Sequence, residues 1–355
     1  MLNLRYEFRG RLGGMRAILF ENYKQPVIEK DVPEPSVGDH DVLIRVEAAS
    51  LNHIDARLQA GEFKVILPYK MPVTLGHDLA GTILATGVAV TRFKSGDQVC
   101  ARPRDFRIGT FAEKISVHED DVALTPRSIS TVEAASLPLV ALTAWQALVD
   151  LGTVQAGQKV LIHAGAGGVG SIAIQIAKHL GAQVATTVSA KNIEFVRSLG
   201  ADIAIDYRTQ DFESELESYD FVLDSLGGAN LEKSLKVVRR GGIVVGISGP
   251  PTPTFAREAG LNPVVRLAVA AMSFKTRRLA RNLGVTYKFL LMKSSGEQLA
   301  QLAKLVDSGV VRPIVGATHP FEEAVSAIES LGTSGALGKE VLLGPGFAVD
   351  QPTES

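Results

Sequence analysis

The stretch KVLIHAGAGGVGSIAIQIAKHLG, residues 159–181, joins a short apolar strand, a glycine turn and an amphipathic helix. Val160 to Ile162 form the strand, and three glycines follow in the spacing GxGxxG, at Gly165, Gly167 and Gly170. Apolar residues then recur at helical spacing up to Gly181: Val169, Ile172, Ala173, Ile176, Ala177 and Leu180. This order of elements predicts a dinucleotide site, in which N–H groups at the helix N-terminus meet a pyrophosphate.

The strand after this helix indicates which dinucleotide is preferred. A site for NAD usually carries an acid about 20 residues further on, where it binds the ribose 2′-hydroxyl. Residues 183–189, QVATTVS, contain no acid. Ser189, Lys191 and Tyr207 instead offer hydrogen-bond donors and one positive charge, so we expect NADPH. In the alternative interpretation, Ser189 caps a helix over 191–199 and Lys191 is a solvated first-turn residue.

Composition narrows the class of protein. The chain has 355 residues, a net charge of −1 and a single cysteine, Cys100. This length predicts two domains, and the charge gives no general attraction to nucleic acid or to an anionic membrane. The longest apolar run, 134–149, contains Pro138 and is too short to span a bilayer, so we interpret it as a core helix. We therefore expect a cytoplasmic protein without a transmembrane segment or an internal disulfide.

Two kinds of pattern divide the chain. Residues 15–138 are rich in short β-branched runs between turns, such as 41–48 and 79–87, and the tail from 310 to 355 returns to short strands. Residues 139–309 alternate strands with helices, which predicts a doubly wound parallel sheet inserted in the β-rich unit, an α/β fold. The predicted strands of that sheet are 159–164, 183–188, 203–206, 220–223, 243–247 and 285–291. Residues 1–14 are interpreted as an extension, with a short transit peptide as the alternative.

A family resemblance rests on a series of motifs. LNHID, LGHDLAG, GTFAEKISV, LTAW, AGAGGVG, SLGAD, DSLGG and GGIVVGISG occur in this order, which resembles the medium-chain dehydrogenase/reductase superfamily. NHIDARLQAGEFK, SLGADIAIDY and VVRPIVG are most similar to its zinc-free, NADPH-dependent branch of quinone oxidoreductases and chloroplast-type alkenal/one oxidoreductases. The resemblance implies a GroES-like catalytic domain, a Rossmann domain and an NADPH-dependent oxidoreductase.

The ligands that zinc requires are missing from the expected positions. Asn52 stands where zinc-dependent relatives carry a cysteine, the third ligand would fall near Val140, and residues 97–111 hold no four-cysteine loop. We predict no metal. In the alternative, His77, Asp78 and His53 form an accidental metal site. We expect His77 to be a buried structural histidine, and His163 to be a strand-end residue rather than a catalyst.

Without zinc, hydride addition to a conjugated carbonyl or a quinone is the favoured chemistry, because a few hydrogen-bond donors can hold the charge that develops on oxygen. The resemblance implies that Asn52 lies at the nicotinamide end of the cleft and donates to the substrate carbonyl. Arg57 replaces a tyrosine found in several quinone reductases, so Arg57, Tyr69 and bulk water all stay open as proton source. Asp55 is interpreted as a cap. The expected cofactor contacts are Thr143, Gly165, Gly167, Gly168, Val169, Gly170, Ser189, Lys191, Tyr207, Leu226 and Gly246.

Further expectations concern assembly, one helical segment and other possible functions. The apolar strand over 285–291 ends the Rossmann order, which predicts a homodimer formed along that edge. The sequence of residues 249–283 predicts a basic helix with a solvated face beside the cleft. In one alternative this helix covers an apolar pocket, and in another it lies on a membrane surface. An NADPH-binding regulatory or scaffold protein with little turnover is the second functional hypothesis, and a nucleic-acid-binding role is weakly supported.

Overall fold

The computed structural model describes residues 14–332 and 335–347, so the predicted extension lies outside the described residues except for Gly14. The strands are β1 Gly14–Phe20, β2 Ile28–Pro33, β3 Asp41–Ser50, β4 Val73–Thr74, β5 Leu79–Thr86, β6 Gln98–Ala101, β7 Lys114–His118, β8 Val122–Leu124, β9 Lys159–Ile162, β10 Gln183–Val188, β11 Ile203–Asp206, β12 Tyr219–Asp224, β13 Val238–Gly246, β14 Thr286–Phe289, β15 Val315–His319 and β16 Lys339–Leu343. The α-helices are α1 His53–Gln59, α2 Thr131–Ala135, α3 Pro138–Trp145, α4 Gly168–His179, α5 Ile193–Ser198, α6 Phe212–Glu215, α7 Gly228–Val237, α8 Pro253–Glu258, α9 Pro263–Met272, α10 Phe274–Leu283, α11 Gly296–Asp307 and α12 Ala324–Ser330.

The predicted doubly wound sheet is confirmed. Six parallel strands lie in the order β11-β10-β9-β12-β13-β14, which places the first strand of the series at the centre. Val160 and Ile162 of β9 belong to the core that includes α3 and α4, whereas Leu161 belongs to the core on the opposite face, with α7. Because both faces of the sheet are covered, its strands are apolar throughout instead of alternating.

The remaining strands form the β-rich part of the fold. A seven-stranded sheet has the order β15-β16-β3-β5-β6-β8, with β7 also paired to β3, and a three-stranded sheet has the order β2-β1-β4. Strand β16 pairs antiparallel with β3, so the chain after the parallel sheet returns to the sheet that β3 began. Phe20, Ile44, Leu79 and Phe111 lie in the core of this part. The return of β16 is what brings the C-terminal segment beside α1.

Three predicted helices are broken in the structure. The basic helix predicted within 249–283 forms α8, α9 and α10, and prolines stand in the first turns of α8 and α9. The run 134–149 divides into α2, α3 and a wide π-helical turn at Gln146–Leu151. The break falls where Pro138, which lacks an N–H group, occupies the first turn of α3. The helix predicted over 191–199 begins with a 3₁₀ turn at Ala190–Asn192 and becomes α5 only at Ile193. None of the described helices is long and apolar enough to cross a membrane.

Candidate functional site

The turn between β9 and α4 leaves no room for side chains. A Cβ atom at Gly165 would lie 2.2 Å from Thr186 Oγ1, and one at Gly170 would lie 2.2 Å from the carbonyl oxygen of Ala164. Ala164 itself has φ of 53°, a left-handed conformation that L-residues rarely adopt. Gly167 is the N-cap of α4 and bears no side-chain cap, so the helix presents bare backbone N–H groups. This is the arrangement that a pyrophosphate requires, so the turn fits the predicted dinucleotide.

Ser189, Lys191 and Tyr207 lie at the carboxyl ends of two neighbouring strands. Ser189 and Lys191 follow β10, and the backbone N–H group of Tyr207, after β11, donates to Val188 O at 3.1 Å. Ser189 is 7% exposed and Tyr207 is 59% exposed. The alternative in which Ser189 caps the following helix is not observed, because that 3₁₀ turn has no side-chain cap bond. The nearby Asp206 carboxylate is engaged in its own turn, where it accepts from the Arg208 N–H group and the Thr209 hydroxyl.

A cavity of about 470 Å³ opens between the glycine turn and α1. Eight of the predicted site residues line it: Asn52, Arg57, Thr143, Gly167, Gly168, Val169, Gly170 and Leu226. The described lining does not include Tyr69, Gly165, Ser189, Lys191, Tyr207 or Gly246. Most of the other lining side chains are apolar, including Phe63, Leu139, Phe289, Leu291 and Met292. The cavity therefore joins the dinucleotide turn to an apolar compartment of ligand size.

Asn52 lines this cavity, is 4% exposed and is held by a buried network; we call the part of the lining around Asn52 the inner end of the cavity. Its amide nitrogen donates to Ser50 O at 3.0 Å and to Asp78 Oδ1 at 2.9 Å. Asp78 also accepts from the Ser50 hydroxyl at 2.7 Å. Both amide hydrogens of Asn52 are thus used within the protein, and a substrate carbonyl would have to displace one of these acceptors. Burial raises the pKa of the Asp78 carboxyl, and the nearby charge of Lys339 opposes that shift.

Lys339 completes the network and was missed by the sequence analysis. It is buried in β16, lines the cavity, and its Nζ donates to Asn52 Oδ1 at 2.5 Å and to the carbonyl oxygen of Leu51. Its partners lie 287 and 288 positions away in the chain, so no local pattern indicates the contact. Arg102, also buried and also missed, lines the same cavity with its guanidinium bound to Asp105 at 2.7 Å.

Comparison with known proteins agrees with this geometry. The family model for the alcohol dehydrogenase GroES-like domain matches residues 38–127, and the model for zinc-binding dehydrogenase matches residues 199–342. A 2-methylene-furan-3-one reductase of Solanum lycopersicum is 36% identical over 327 residues, which cover 89% of this chain and 74% of the relative. The chain belongs to the medium-chain dehydrogenase/reductase family.

Other members of the family are similar over most of this chain. The chloroplastic NADPH-dependent alkenal/one oxidoreductase of Arabidopsis thaliana is 36% identical over 89% of this chain and 75% of its own length. The solved structure of the quinone oxidoreductase from Coxiella burnetii has a TM-score of 0.81 at 31% identity, covering 93% of this chain and 99% of that one. The predicted fold and family are thereby confirmed.

Two of the residues at the family's zinc positions, Asn52 and His77, both contact Asp55. His77 is buried, and its Nδ1 lies 2.6 Å from Asp55 Oδ1. Asp55 also accepts the backbone N–H group of Asn52 at 3.0 Å, so the predicted capping role takes the form of a capping box in which Asn52 is the N-cap of α1 and Asp55 its N3 partner. Among residues 14–332 and 335–347, no group of three or more His, Cys, Asp or Glu side chains is placed to hold a metal ion. Zinc independence stays a prediction that chelation can test.

The two side chains considered as proton donors have different positions. Arg57 borders the cavity, where its Nε donates to Glu62 at 2.7 Å and its guanidinium lies 4.9 Å from the centre of the Phe63 ring. Tyr69 accepts the backbone N–H group of Phe106 at 3.1 Å, and burial raises the pKa of its phenol to about 12. A phenol with so high a pKa is a poor acid near neutrality.

Proposed function

We propose that this protein is an NADPH-dependent reductase of conjugated carbonyls, such as enals and enones, and of quinones. The observation that carries the proposal is the single cavity that joins the phosphate-binding turn to an apolar compartment ending at Asn52 and Lys339. An apolar acceptor of modest size fits this compartment, and its oxygen would lie against the polar inner end. Relatives named as an alkenal/one oxidoreductase and a quinone oxidoreductase support the same reaction class.

The residues have separable tasks in this proposal. Gly167 and the first turn of α4 hold the pyrophosphate, and Ser189, Lys191 and Tyr207 bind the 2′-phosphate. Bound NADPH supplies the hydride that the acceptor receives at its β-carbon. Apolar side chains such as Phe289 and Met292 exclude bulk water from the acceptor, and the inner polar network faces its oxygen. We propose solvent water as the proton source, because arginine is a permanent cation, and Tyr69 is half-buried, does not line the cavity and is weakly acidic.

A panel of electrophiles tests the proposed function. Purified protein with NADPH is offered enals, enones and quinones, and loss of NADPH absorbance is measured for each, with heat-treated protein as control. For an active enone, NADPH deuterated at C4 should place deuterium on the β-carbon of a saturated product. Deuterium on the carbonyl carbon of an allylic alcohol would contradict the proposed chemistry. If no electrophile is reduced above background, the regulatory or scaffold hypothesis replaces the reductase proposal.

We further propose that the protein is a homodimer joined along β14. This strand ends the parallel sheet, and an edge strand of this kind presents unpaired backbone groups. Nearby, α9 exposes an apolar stripe in which Val264 and Leu267 are 78% and 73% exposed. A second copy would cover both features. Sedimentation velocity should show a dimer at micromolar concentration, and Leu267→Asp should shift it towards monomer; a monomeric parent protein would contradict the proposal.

Two finer points also belong to the proposal. We place the GroES-like domain at residues 15–138 and 310–355 and the Rossmann domain at 139–309, and limited proteolysis between them would test these bounds.

We retain a cytoplasmic location, although the relative from Arabidopsis is named as chloroplastic. Fractionation of cells expressing the full chain decides the location.

A further inference from the structure

Lys339 places a buried positive charge at the inner end of the cavity. It lies in β16 with 7% of its surface exposed. Its aliphatic stem passes over the glycine turn, where a Cβ atom at Gly168 would lie 2.6 Å from Lys339 Cδ. The backbone fixes this path, because the Gly338 N–H group donates to Ala166 O at 2.9 Å. The ammonium group is therefore held between the dinucleotide turn and Asn52.

The hydrogen bonds of Lys339 leave one donor over. An ammonium has three N–H groups, and the described residues accept two of them, at Leu51 O and Asn52 Oδ1. The neighbouring Asn52 amide has no such spare hydrogen, since Ser50 O and Asp78 take both. Among the described groups at this end of the cavity, Lys339 is thus better placed than Asn52 to donate to a bound oxygen.

The two groups that accept hydrogen bonds from Lys339 carry no charge. Both of its hydrogen-bond partners are neutral oxygens, while the acids that act on it, Asp78, Asp55 and Glu340, do so as nearby charges. His53 also lies near this group, and its pKa is lowered first by burial and then by the positive charge of Lys339. Burial lowers the pKa of Lys339, and the three carboxylates oppose that shift. The three carboxylates thus offset part of the cost of burying this cation, and an oxyanion would add the direct anionic contact that Lys339 lacks.

We infer that Lys339 is a catalytic residue whose third N–H group binds the carbonyl oxygen of the acceptor and stabilises the negative charge that develops there. The inference rests on the proposed reductase function and changes one element of it, since Lys339 rather than Asn52 becomes the main donor to the substrate. Asn52 acts as a positioning residue that orients the ammonium through its Oδ1. The hydrogen bond from Lys339 would favour acceptors whose oxygen reaches the inner end of the cavity while their apolar part remains among the apolar lining side chains.

Kinetics of three variants provide the first test. Loss of one donor to a developing oxyanion lowers kcat by about 10²- to 10³-fold, so Lys339→Met should show that loss with an active enone or quinone. The dissociation constant of NADPH should change less than about threefold, because Lys339 serves the acceptor. Lys339→Arg should restore part of kcat. The control is Lys288→Met, which removes a lysine bound to a backbone carbonyl, Leu151 O, outside the cavity, and it should keep full activity.

A binding measurement without turnover separates catalysis from structural support. With saturating NADP⁺ present, 4-nitrophenol is titrated from acid to neutral pH, and its visible absorption reports whether the bound molecule is phenol or phenolate. Wild type should lower the pKa of the bound phenol by about one unit or more, as a cation within 4–6 Å does. Lys339→Met should abolish the shift, and Lys288→Met should keep it.

These outcomes distinguish the inference from the proposed function. If wild type reduces no electrophile but binds the phenolate through Lys339, the reductase proposal fails while the oxyanion site stands. If wild type turns over and Lys339→Met retains kcat, or if wild type leaves the phenol unbound or unshifted, the inference is wrong. If Lys339→Met does not fold, the titration of 4-nitrophenol with the wild type, Lys288→Met and Lys339→Arg still tests the inference. An unshifted pKa of the phenol bound to the wild type would overturn the inference.

Discussion

The preference for NADPH over NADH should depend on Lys191, and Lys191→Ala tests this directly. Lys191 lies in the 3₁₀ turn after β10, exposed, with its Nζ 3.6 Å from the position of a Cβ atom at Gly335. Because Gly335 lines the cavity, the ammonium lies at its border, where the 2′-phosphate of a bound cofactor would lie. No acid in β10 competes for the ribose hydroxyl.

The expected loss of NADPH affinity in Lys191→Ala follows from the exposure of the Lys191 ammonium. A hydrogen bond to a charged group contributes about 1.5–3 kcal/mol, and solvent around Lys191 favours the lower end of this range. The dissociation constant of NADPH should therefore rise about tenfold in Lys191→Ala, while that of NADH changes less than about twofold. With the contacts proposed for Ser189 and Tyr207 added, we expect the wild type to prefer NADPH by about 10- to 100-fold or more.

Fluorescence titration of the two cofactors against each variant measures these constants. Arg197→Ala is a suitable control, because Arg197 lies one helix further on and pairs with Glu194 at 2.8 Å on the surface. It should leave both constants unchanged. Raised ionic strength should weaken NADPH binding more in the wild type than in Lys191→Ala. Equal affinities of the wild type for NADPH and NADH, or an equal loss of both in Lys191→Ala, would refute the assignment.

Three other perturbations give distinct results. Gly170→Ala should lower the free energy of unfolding by about 1–3 kcal/mol and weaken NADPH binding, because the new Cβ atom would lie 2.2 Å from Ala164 O. An unchanged melting temperature and an unchanged affinity for NADPH would contradict this prediction. Hydrogen bonds from Arg107 lower the pKa of Asp41 in the folded protein. These bonds therefore contribute to the free energy of unfolding above the ordinary pKa of an aspartate, and the contribution is lost as the pH falls through the lowered pKa. Asp41→Asn should therefore cost about 1–3 kcal/mol at pH 7 and much less at pH 2, as denaturant unfolding would show, and a loss independent of pH would point to packing instead. Reductase activity should survive exhaustive dialysis against a chelator, and activity that is lost there and restored by zinc would disprove zinc independence.

The Rossmann half of the fold could be predicted closely from the sequence. Strands β10 and β11 were predicted with the bounds that the structure has, because an apolar run between a glycine and a polar turn is a local signal. The dinucleotide turn could be predicted from its glycine spacing, although only the contact of Gly170 with Ala164 is local, whereas Gly165 is required by Thr186 of the neighbouring strand β10. The break at Pro138 was missed because apolar periodicity continues across it, even though proline begins a helix more readily than it continues one.

The amino-acid sequence by itself determined the fold class, the cofactor turn and the substitution of Asn52 for a metal-binding thiolate, because each is expressed within a few consecutive residues. Only the tertiary structure decided what Asn52 does. Its amide is held by Ser50 and Asp78, and the return of β16 to β3 delivers Lys339 to it from 287 positions away. Such a contact is set by the pairing of distant strands, and the charge of a buried lysine depends on neighbours that the pairing supplies. The side chain best placed to bind the substrate oxygen therefore has no signature in its own segment of sequence.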